Sequence, residues 1–311
     1  MPRLLSGAVP TRIAVHPDGS PPWYAEAVER GGGTIVPLDD ADALVWAHPS
    51  DKEGLARAVR EHPALRWVQL PWAGIEPYRD VIDDGRLWTC GKGVYAEPVA
   101  ELALTLLQAG LRGAVRYARA DHWTDQFGTS LFDGRVTIVG GGGIAEVLAR
   151  LLVPYRASVT VVRRHPAPME HVDRVVGVED LHDALRGADG VVLALALVPD
   201  TVGIIGRAEL EVMEPHAWLV NVARGRHIVT DDLIAALREG TIGGAGLDVT
   251  DPEPLPAGHP LWSTPNCVIT PHIGNTREMA KPLLSARITE NVRRWAAGEE
   301  LIGPVDPRLG Y

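Results

Sequence analysis

Four consecutive glycines, Gly140–Gly143, stand between a short apolar run, Val136–Val139, and a segment whose apolar residues recur at helical spacing. Inside a strand or a helix such a run would cost backbone entropy and leave nothing to pack. At a tight turn from strand to helix it is useful. The residues that follow, Ile144, Val147, Leu148, Leu151 and Leu152, are spaced i, i+3, i+4, i+7 and i+8. That spacing predicts an amphipathic helix with this stripe against a sheet. The feature commits the chain to a strand–turn–helix unit, the building block of parallel sheets with crossover helices.

The unit recurs along the chain. From residue 135 onward the strand expectations are Val136–Val139, Val159–Val162, Val191–Leu197, Trp218–Val222, Gly244–Asp248 and Val268–Thr270. Helical segments at Val178–Leu185 and Asp231–Glu239 separate them, the latter ending at the helix-stop residue Gly240. An earlier series predicts strands at Arg12–Val15, Thr34–Pro37, Ala43–Ala47 and Arg66–Leu70, with helices at Pro22–Arg30 and Lys52–Glu61. Longer helices are expected at Pro98–Leu111 and Lys281–Ala297. Two series in 311 residues predict two domains. The expected boundaries are 102–282 for one, and 1–101 with 283–311 for the other.

Composition excludes several classes. Forty acidic residues against thirty basic ones give a net charge of −10, the wrong sign for a surface that meets phosphate backbones, so no nucleic-acid partner is expected. Two cysteines, Cys90 and Cys267, are too few for a disulfide scaffold and are expected reduced and buried. The longest clean apolar run, Val191–Val198, is far short of the roughly 20 residues that span a membrane. The N-terminus has no signal-peptide core, so a soluble cytoplasmic protein is expected. The eleven histidines show no HExxH or paired Cys/His spacing, so no metal site is expected. Nine tryptophans against two phenylalanines are unusual, and five of them (Trp23, Trp46, Trp67, Trp72 and Trp88) lie in the first third.

The glycine loop fits the fingerprint of a dinucleotide-binding turn in one frame. Its last position must be small, because there the helix lies on the strand. Starting at Gly140 places Ala145 at that position; starting at Gly141 would place Glu146 there. Gly140, Gly142, Gly143 and Ile144 then form the turn and helix N-terminus that hold a pyrophosphate. The next strand runs into Arg163-Arg164, 18 residues past Ala145, where an enzyme that prefers NAD carries an acid for the ribose hydroxyls. Two arginines there favour the 2′-phosphate of NADP over NAD, although NAD stays possible.

Three later segments each follow a strand and carry a reactive side chain: Asn221-Val-Ala-Arg224-Gly225, Gly246-Leu-Asp248-Val-Thr-Asp-Pro-Glu253-Pro254 and Thr270-Pro271-His272-Ile-Gly274. In an open parallel sheet, ligands bind beyond the carboxyl ends of strands. Arg, Glu and His together suit the reduction of a 2-oxo acid. Arg224 grips the carboxylate with a bidentate fork and polarises the carbonyl. His272 supplies the proton as hydride arrives. Glu253 orients that imidazole and favours its charged form.

The motifs VGGGGIA, NVARG, GLDVTDPEPLP and TPHIG, in this order, resemble those of the D-isomer-specific 2-hydroxyacid dehydrogenases. The resemblance runs from about Leu65 to His272 and is looser outside. It implies two Rossmann-like or flavodoxin-like α/β domains with the active site in the cleft between them. By resemblance Asp248 lies near the nicotinamide, Val222 is a further cofactor-binding residue, and Pro199 and Thr201 pass the adenosine. Trp67-Val-Gln-Leu-Pro-Trp-Ala-Gly74 is similar to the family's substrate loop, where the N–H groups of Ala73 and Gly74 would hold the carboxylate and Trp72 and Tyr95 wall the pocket. It further implies a homodimer, and glyoxylate or hydroxypyruvate as substrates. The chain departs from the family at Ala145, Arg163, Ala196, Val198 and Thr230, and its end at Tyr311 speaks against a long, regulated phosphoglycerate dehydrogenase. A dinucleotide-sensing protein of the same fold, binding but turning over little, is the alternative. A methyltransferase using S-adenosylmethionine is disfavoured by the paired arginines and TPHIG, and a short-chain dehydrogenase by the absence of Tyr-x-x-x-Lys.

Overall fold

The computed structural model describes residues 11–83 and 85–306, so most of the N-terminal stretch considered above, and Tyr311, lie outside the described residues. The chain divides into two compact units, Met1–Tyr95 with Thr276–Tyr311, and Ala96–Asn275. The expected breaks after residues 101 and 282 fall within helices that each belong whole to one unit. Among the described residues, no helix is long and apolar enough to cross a membrane.

The first unit holds β1 (Arg12–His16), β2 (Thr34–Ile35), β3 (Ala43–Trp46), β4 (Trp67–Gln69) and β5 (Leu87–Thr89), all parallel, in the order β2-β1-β3-β4-β5. Helices α1 (Trp23–Arg30) and α2 (Lys52–Glu61) connect them. The predicted limits of α2 match the structure because Asp51 caps it, its carboxylate accepting from the Gly54 N–H at 2.8 Å. β5 was missing from the sequence expectations; three residues after an irregular stretch show no alternation to read.

The second unit opens with α3 (Ala96–Leu111) and α4 (Ala114–Ala118). There follow β6 (Arg135–Val139), α5 (Gly143–Leu152), β7 (Ser158–Val162), β8 (Arg174–Val176), α6 (Leu181–Leu185), β9 (Gly190–Leu193), α7 (Arg207–Val212), β10 (Trp218–Asn221), α8 (Thr230–Glu239), β11 (Gly244–Leu247) and β12 (Cys267–Ile269). The strands form one parallel sheet, β12-β11-β10-β9-β6-β7-β8. Its order reverses between β6 and β9, the place where such sheets take ligands. α3 and α5 cover one face with Ala103, Leu106, Leu107, Leu148 and Leu152 packed on Val136, Ile138 and Val161. The helices α6–α8 cover the other through Leu185, Leu210, Leu233 and Leu237. Each such aliphatic side chain, fully buried, contributes about 1.5–3 kcal/mol.

Three expectations need correction here. The face of α5 that is fully buried is Ala145, Leu148, Ala149 and Leu152, while Ile144, Val147 and Leu151 are only partly covered. Two alanines share the fully buried face with Leu148 and Leu152, and the partly covered side chains flank it. β9 ends at Leu193, not Leu197, because the Ala194 carbonyl turns toward Gly140 and the chain leaves the ladder. α3 begins at Ala96, with Pro98 tolerated in its first turn. α8 does end on Gly240, in the left-handed conformation.

The last helix, α9 (Arg277–Ala297), belongs to the first unit. It starts four residues before the expected Lys281 because Thr276 caps it, accepting from Met279 N–H at 3.3 Å. α9 packs on α1, where the Thr289 hydroxyl donates to Ala27 O at 3.0 Å. Asn291, fully buried on α9, donates to Gln69 Oε1 (2.9 Å) and Ile302 O (3.0 Å) and accepts from Ile302 N–H (2.8 Å). Gln69 Oε1 also accepts from the Thr89 hydroxyl, which accepts in turn from the Trp67 indole N–H, each at 2.8 Å. This connected polar chain ties α9 to β4 and β5. The tryptophan excess is absorbed here: Trp46, Trp67, Trp88 and Trp295 are all buried, with Trp67 and Trp295 ring centroids 5.6 Å apart. Both cysteines are free and buried; burial raises the Cys90 thiol and pushes Cys267 up to about 12.

Candidate active site

The loops that leave the carboxyl ends of the seven-stranded sheet carry nearly every residue singled out above. After β6, Gly140 adopts φ +116°, and a Cβ there would collide with the Ala194 carbonyl of the loop after β9. Only glycine lets the two crossing turns meet. Gly142 caps α5 without any side-chain bond, and a Cβ built on it would meet no protein atom within 4 Å. Ala145, one turn on, is fully buried while Glu146 is exposed, as the chosen frame requires. A backbone open in front of uncapped N–H groups at a helix N-terminus fits a dinucleotide pyrophosphate. Gly143 and Ile144 supply the first turn of that helix.

Arg163 follows β7, and its side chain crosses the glycine loop: a Cβ on Gly141 would lie 2.8 Å from Arg163 Cδ and 2.9 Å from Nε. Arg164 points elsewhere, pairing at 3.7 Å with Asp200 between Pro199 and Thr201. Both partners are largely solvated, so that pair is weak. Of the two arginines, Arg163 is the one held over the glycine turn. Thr201 braces its own loop, its hydroxyl accepting from Val198 N–H (2.9 Å) and lying 2.9 Å from Ala196 O. Val222 continues β10, its side chain buried and its N–H directed to Leu193 O at 3.4 Å.

Arg224, Glu253 and His272 follow three adjacent strands, β10, β11 and β12. Asn221 builds the first of these loops. Its side-chain oxygen accepts from Ala223 N–H (3.0 Å) and its amide donates to Arg224 O (2.8 Å), an Asx-turn that aims the arginine. The Arg224 guanidinium donates to Ala223 O at 2.7 Å. Gly225 lies so close to the Thr250 carbonyl that a side chain would collide, and the Thr230 hydroxyl donates to Asp251 O at 3.0 Å, so the Arg224 and Glu253 loops touch.

His272 Nδ1 lies 2.7 Å from Glu253 Oε1. With Nδ1–H donating to the carboxylate, Nε2 is the ring atom left for proton exchange. Both side chains are half-exposed. His272 itself has φ +54°, a conformation that costs a non-glycine residue energy and persists where the surroundings enforce it. Asp248 enforces it. This buried aspartate accepts from the Thr270 hydroxyl (2.6 Å), Ile273 N–H (2.8 Å) and Gly274 N–H (2.9 Å), while its carbonyl accepts from His272 N–H (2.8 Å). Its carboxylate thus serves the histidine loop.

In the other unit, Ala73 and Gly74 follow β4; Ala73 is exposed and Gly74 half-buried. Trp72 and Tyr95 are in contact, ring centroids 5.6 Å apart. Tyr95 is buried and its hydroxyl donates to Pro71 O at 2.6 Å, so it props the loop from beneath. Burial raises its phenol far above the ordinary tyrosine range.

Sequence reasoning gave no part to Asn221 or to His227. Asn221 stood in a quoted motif, and an asparagine just after a strand is itself a turn signal. His227 is fully buried; its Nδ1 partner, the Arg224 N–H, is three residues away, while its Nε2 partner, the Ala196 carbonyl, lies on the loop after β9.

These features define a nucleotide-binding oxidoreductase, and the chain belongs to the D-isomer specific 2-hydroxyacid dehydrogenase family: residues 102–274, more than half of it, match the family's NAD-binding domain. It is 37% identical to a Corynebacterium melassecola protein described as an uncharacterized protein in the proB 3′ region, over 92% of this chain and 95% of that one. It is 33% identical to the mouse glyoxylate reductase/hydroxypyruvate reductase, over 67% of this chain and 66% of that protein. Among solved structures, a D-isomer specific 2-hydroxyacid dehydrogenase from Xanthobacter autotrophicus Py2, in complex with NADPH and MES, superposes with a TM-score of 0.85 at 26% identity, covering 97% of this chain and all of that one.

Proposed function

We propose that the protein reduces a small 2-oxo acid to the D-2-hydroxy acid with NADPH, and runs the reverse reaction with NADP. The observation that carries this reading is the 2.7 Å contact between His272 Nδ1 and Glu253, on loops beside the one that bears Arg224. Gly140, Gly142, Gly143 and Ile144 would hold the pyrophosphate, with Pro199, Thr201, Val222 and Asp248 along the rest of the nucleotide's path. Arg163, lying over the glycine turn, favours the 2′-phosphate form; Arg164 supports it less, being offset by Asp200. A nicotinamide held there would supply the hydride for the carbonyl carbon. Arg224 binds the substrate carboxylate and stabilises the charge that builds on the carbonyl oxygen. His272 Nε2 gives that oxygen its proton, and Glu253 keeps the ring in the tautomer and orientation for doing so. Ala73 and Gly74 are the N–H donors of the other unit suited to a carboxylate.

The mouse relative's name and the NADPH-bound Xanthobacter structure support glyoxylate or hydroxypyruvate and NADPH as the first compounds to try. A homodimer is the assembly we expect. The reading is tested by following nicotinamide absorbance with NADPH and NADH against a panel of 2-oxo acids. Turnover faster with NADPH supports it. Tight NADPH binding without turnover on any member favours a dinucleotide sensor instead.

A further inference from the structure

The loops after β9 and β10 are joined by more than backbone. Gly203 N–H donates to Arg226 O (2.8 Å), Ile205 N–H to His227 O (3.0 Å) and Val229 N–H to Ile205 O (2.9 Å). The imidazole of His227 extends this seam toward the candidate site. Its Nδ1 accepts from the backbone N–H of Arg224 at 3.2 Å. Its Nε2 lies 3.3 Å from the Ala196 carbonyl. A ring whose Nδ1 accepts must carry its proton on Nε2 to donate to a carbonyl, so these two contacts specify the Nε2–H tautomer. The Ala196 carbonyl also lies within bonding distance of the Thr201 hydroxyl. His227 is completely buried. It cannot touch a substrate, and it sits between the two loops to which the carboxylate-binding and nucleotide-binding parts have been given.

We propose that His227 is a positioning residue that sets the Arg224 loop and the 196–201 loop against one another, one ring nitrogen serving each. The proposal rests on the reductase reading for the roles of those loops. A purely packing role would make the two nitrogens equivalent in effect. A positioning role makes them separable. Asparagine offers an acceptor at the δ position, where Nδ1 stands, and no donor at ε. Glutamine offers a donor at the ε position, where Nε2 stands, and no acceptor at δ.

The experiment compares H227N and H227Q with the wild-type protein by three readouts: the dissociation constant of NADPH, that of oxamate (an unreactive 2-oxo acid mimic) in the presence of NADPH, and kcat with glyoxylate. H227N keeps the Arg224 contact and loses the Ala196 one. It is expected to weaken NADPH by about five- to tenfold, the worth of one hydrogen bond, with oxamate binding nearly unchanged. H227Q is expected to do the reverse. In both, kcat should change less than the affected binding constant. Equal weakening of both ligands by both variants, or no change in either, would overturn the proposal. Should either variant fail to fold, the nitrogen-15 shifts of the His227 ring in wild-type protein decide. A proton on Nε2 at neutral pH supports the proposal, and a proton on Nδ1 overturns it. A wild-type protein that reduces no 2-oxo acid would defeat the reductase reading alone, because the two binding constants and the tautomer can still be measured.

Discussion

Both units are parallel sheets with crossover helices, yet they offer different things at the ends of their strands. Loops leaving the seven-stranded sheet carry ionisable side chains held by specific bonds: Arg224 by Asn221 at the start of its own loop, His272 by Glu253 and Asp248 from the neighbouring one. The loop leaving β4 of the five-stranded sheet offers backbone at Ala73 and Gly74, with Tyr95 braced beneath it. The cores differ in the same sense. One is built mainly of valine, leucine and alanine, which pack closely and leave the ionisable side chains to the loops. The other is built around tryptophans and a buried polar chain from Trp67 to Asn291, which fixes where α9 lies. Reactivity and anchoring are thereby separated along the chain, and substitutions in the two units should separate likewise.

The largest effect is expected at His272. His272→Ala should lower kcat by about 10²–10⁴, the usual worth of a general acid, while the NADPH dissociation constant stays within about twofold. Steady-state kinetics with a nucleotide titration checks both. Next is Arg224→Lys, which keeps the charge and loses the fork. It should raise KM for 2-oxo acids about 10- to 100-fold, with a smaller fall in kcat, since charged hydrogen bonds are worth about 1.5–3 kcal/mol. An unchanged KM would remove Arg224 from the carboxylate. Arg163→Asp should shift the NADPH-to-NADH ratio of kcat/KM toward NADH by about tenfold or more. A ratio that does not move would hand the phosphate to Arg164. The smallest effect on chemistry is expected in the other unit. Asn291→Ala leaves Gln69 and Ile302 N–H without their buried partner and should cost about 1–3 kcal/mol in chemical denaturation, with NADPH affinity unchanged. A large loss of NADPH binding there would break the separation between anchoring and reactive units.

Legibility in the sequence followed how local each signal is. The glycine loop could be placed in frame because one buried position had to be small, and Ala145 fills it. α2 and the end of α8 were readable because Asp51 and Gly240 are local caps. β5, β8, α4 and α7, three to six residues each, were not among the expected elements. In the candidate site, Arg224, Glu253 and His272 could be named because each follows an apolar run that reads as a strand. The clamp of Asp248 on the histidine loop spans 22–26 residues, and the reach of His227 to Ala196 spans 31. Such contacts exist only once the strands have stacked, and no spacing rule announces them. The buried face of α5 was misjudged by one residue for a related reason. A hydrophobicity ranking passes over alanine, and Ala145 and Ala149 share the fully buried face with Leu148 and Leu152.

In the proposed reaction, the carboxyl-end loops of the seven-stranded sheet carry out hydride reduction of a 2-oxo acid with His272 as proton donor. The most direct test uses NADPH deuterated at the transferring C4 position with hydroxypyruvate, followed by chiral separation and mass analysis of the product. The expected product is a D-2-hydroxy acid carrying one deuterium at C2, formed by the wild-type protein and nearly absent with His272→Ala. An L product, a product without deuterium, or equal turnover by the alanine variant would contradict it.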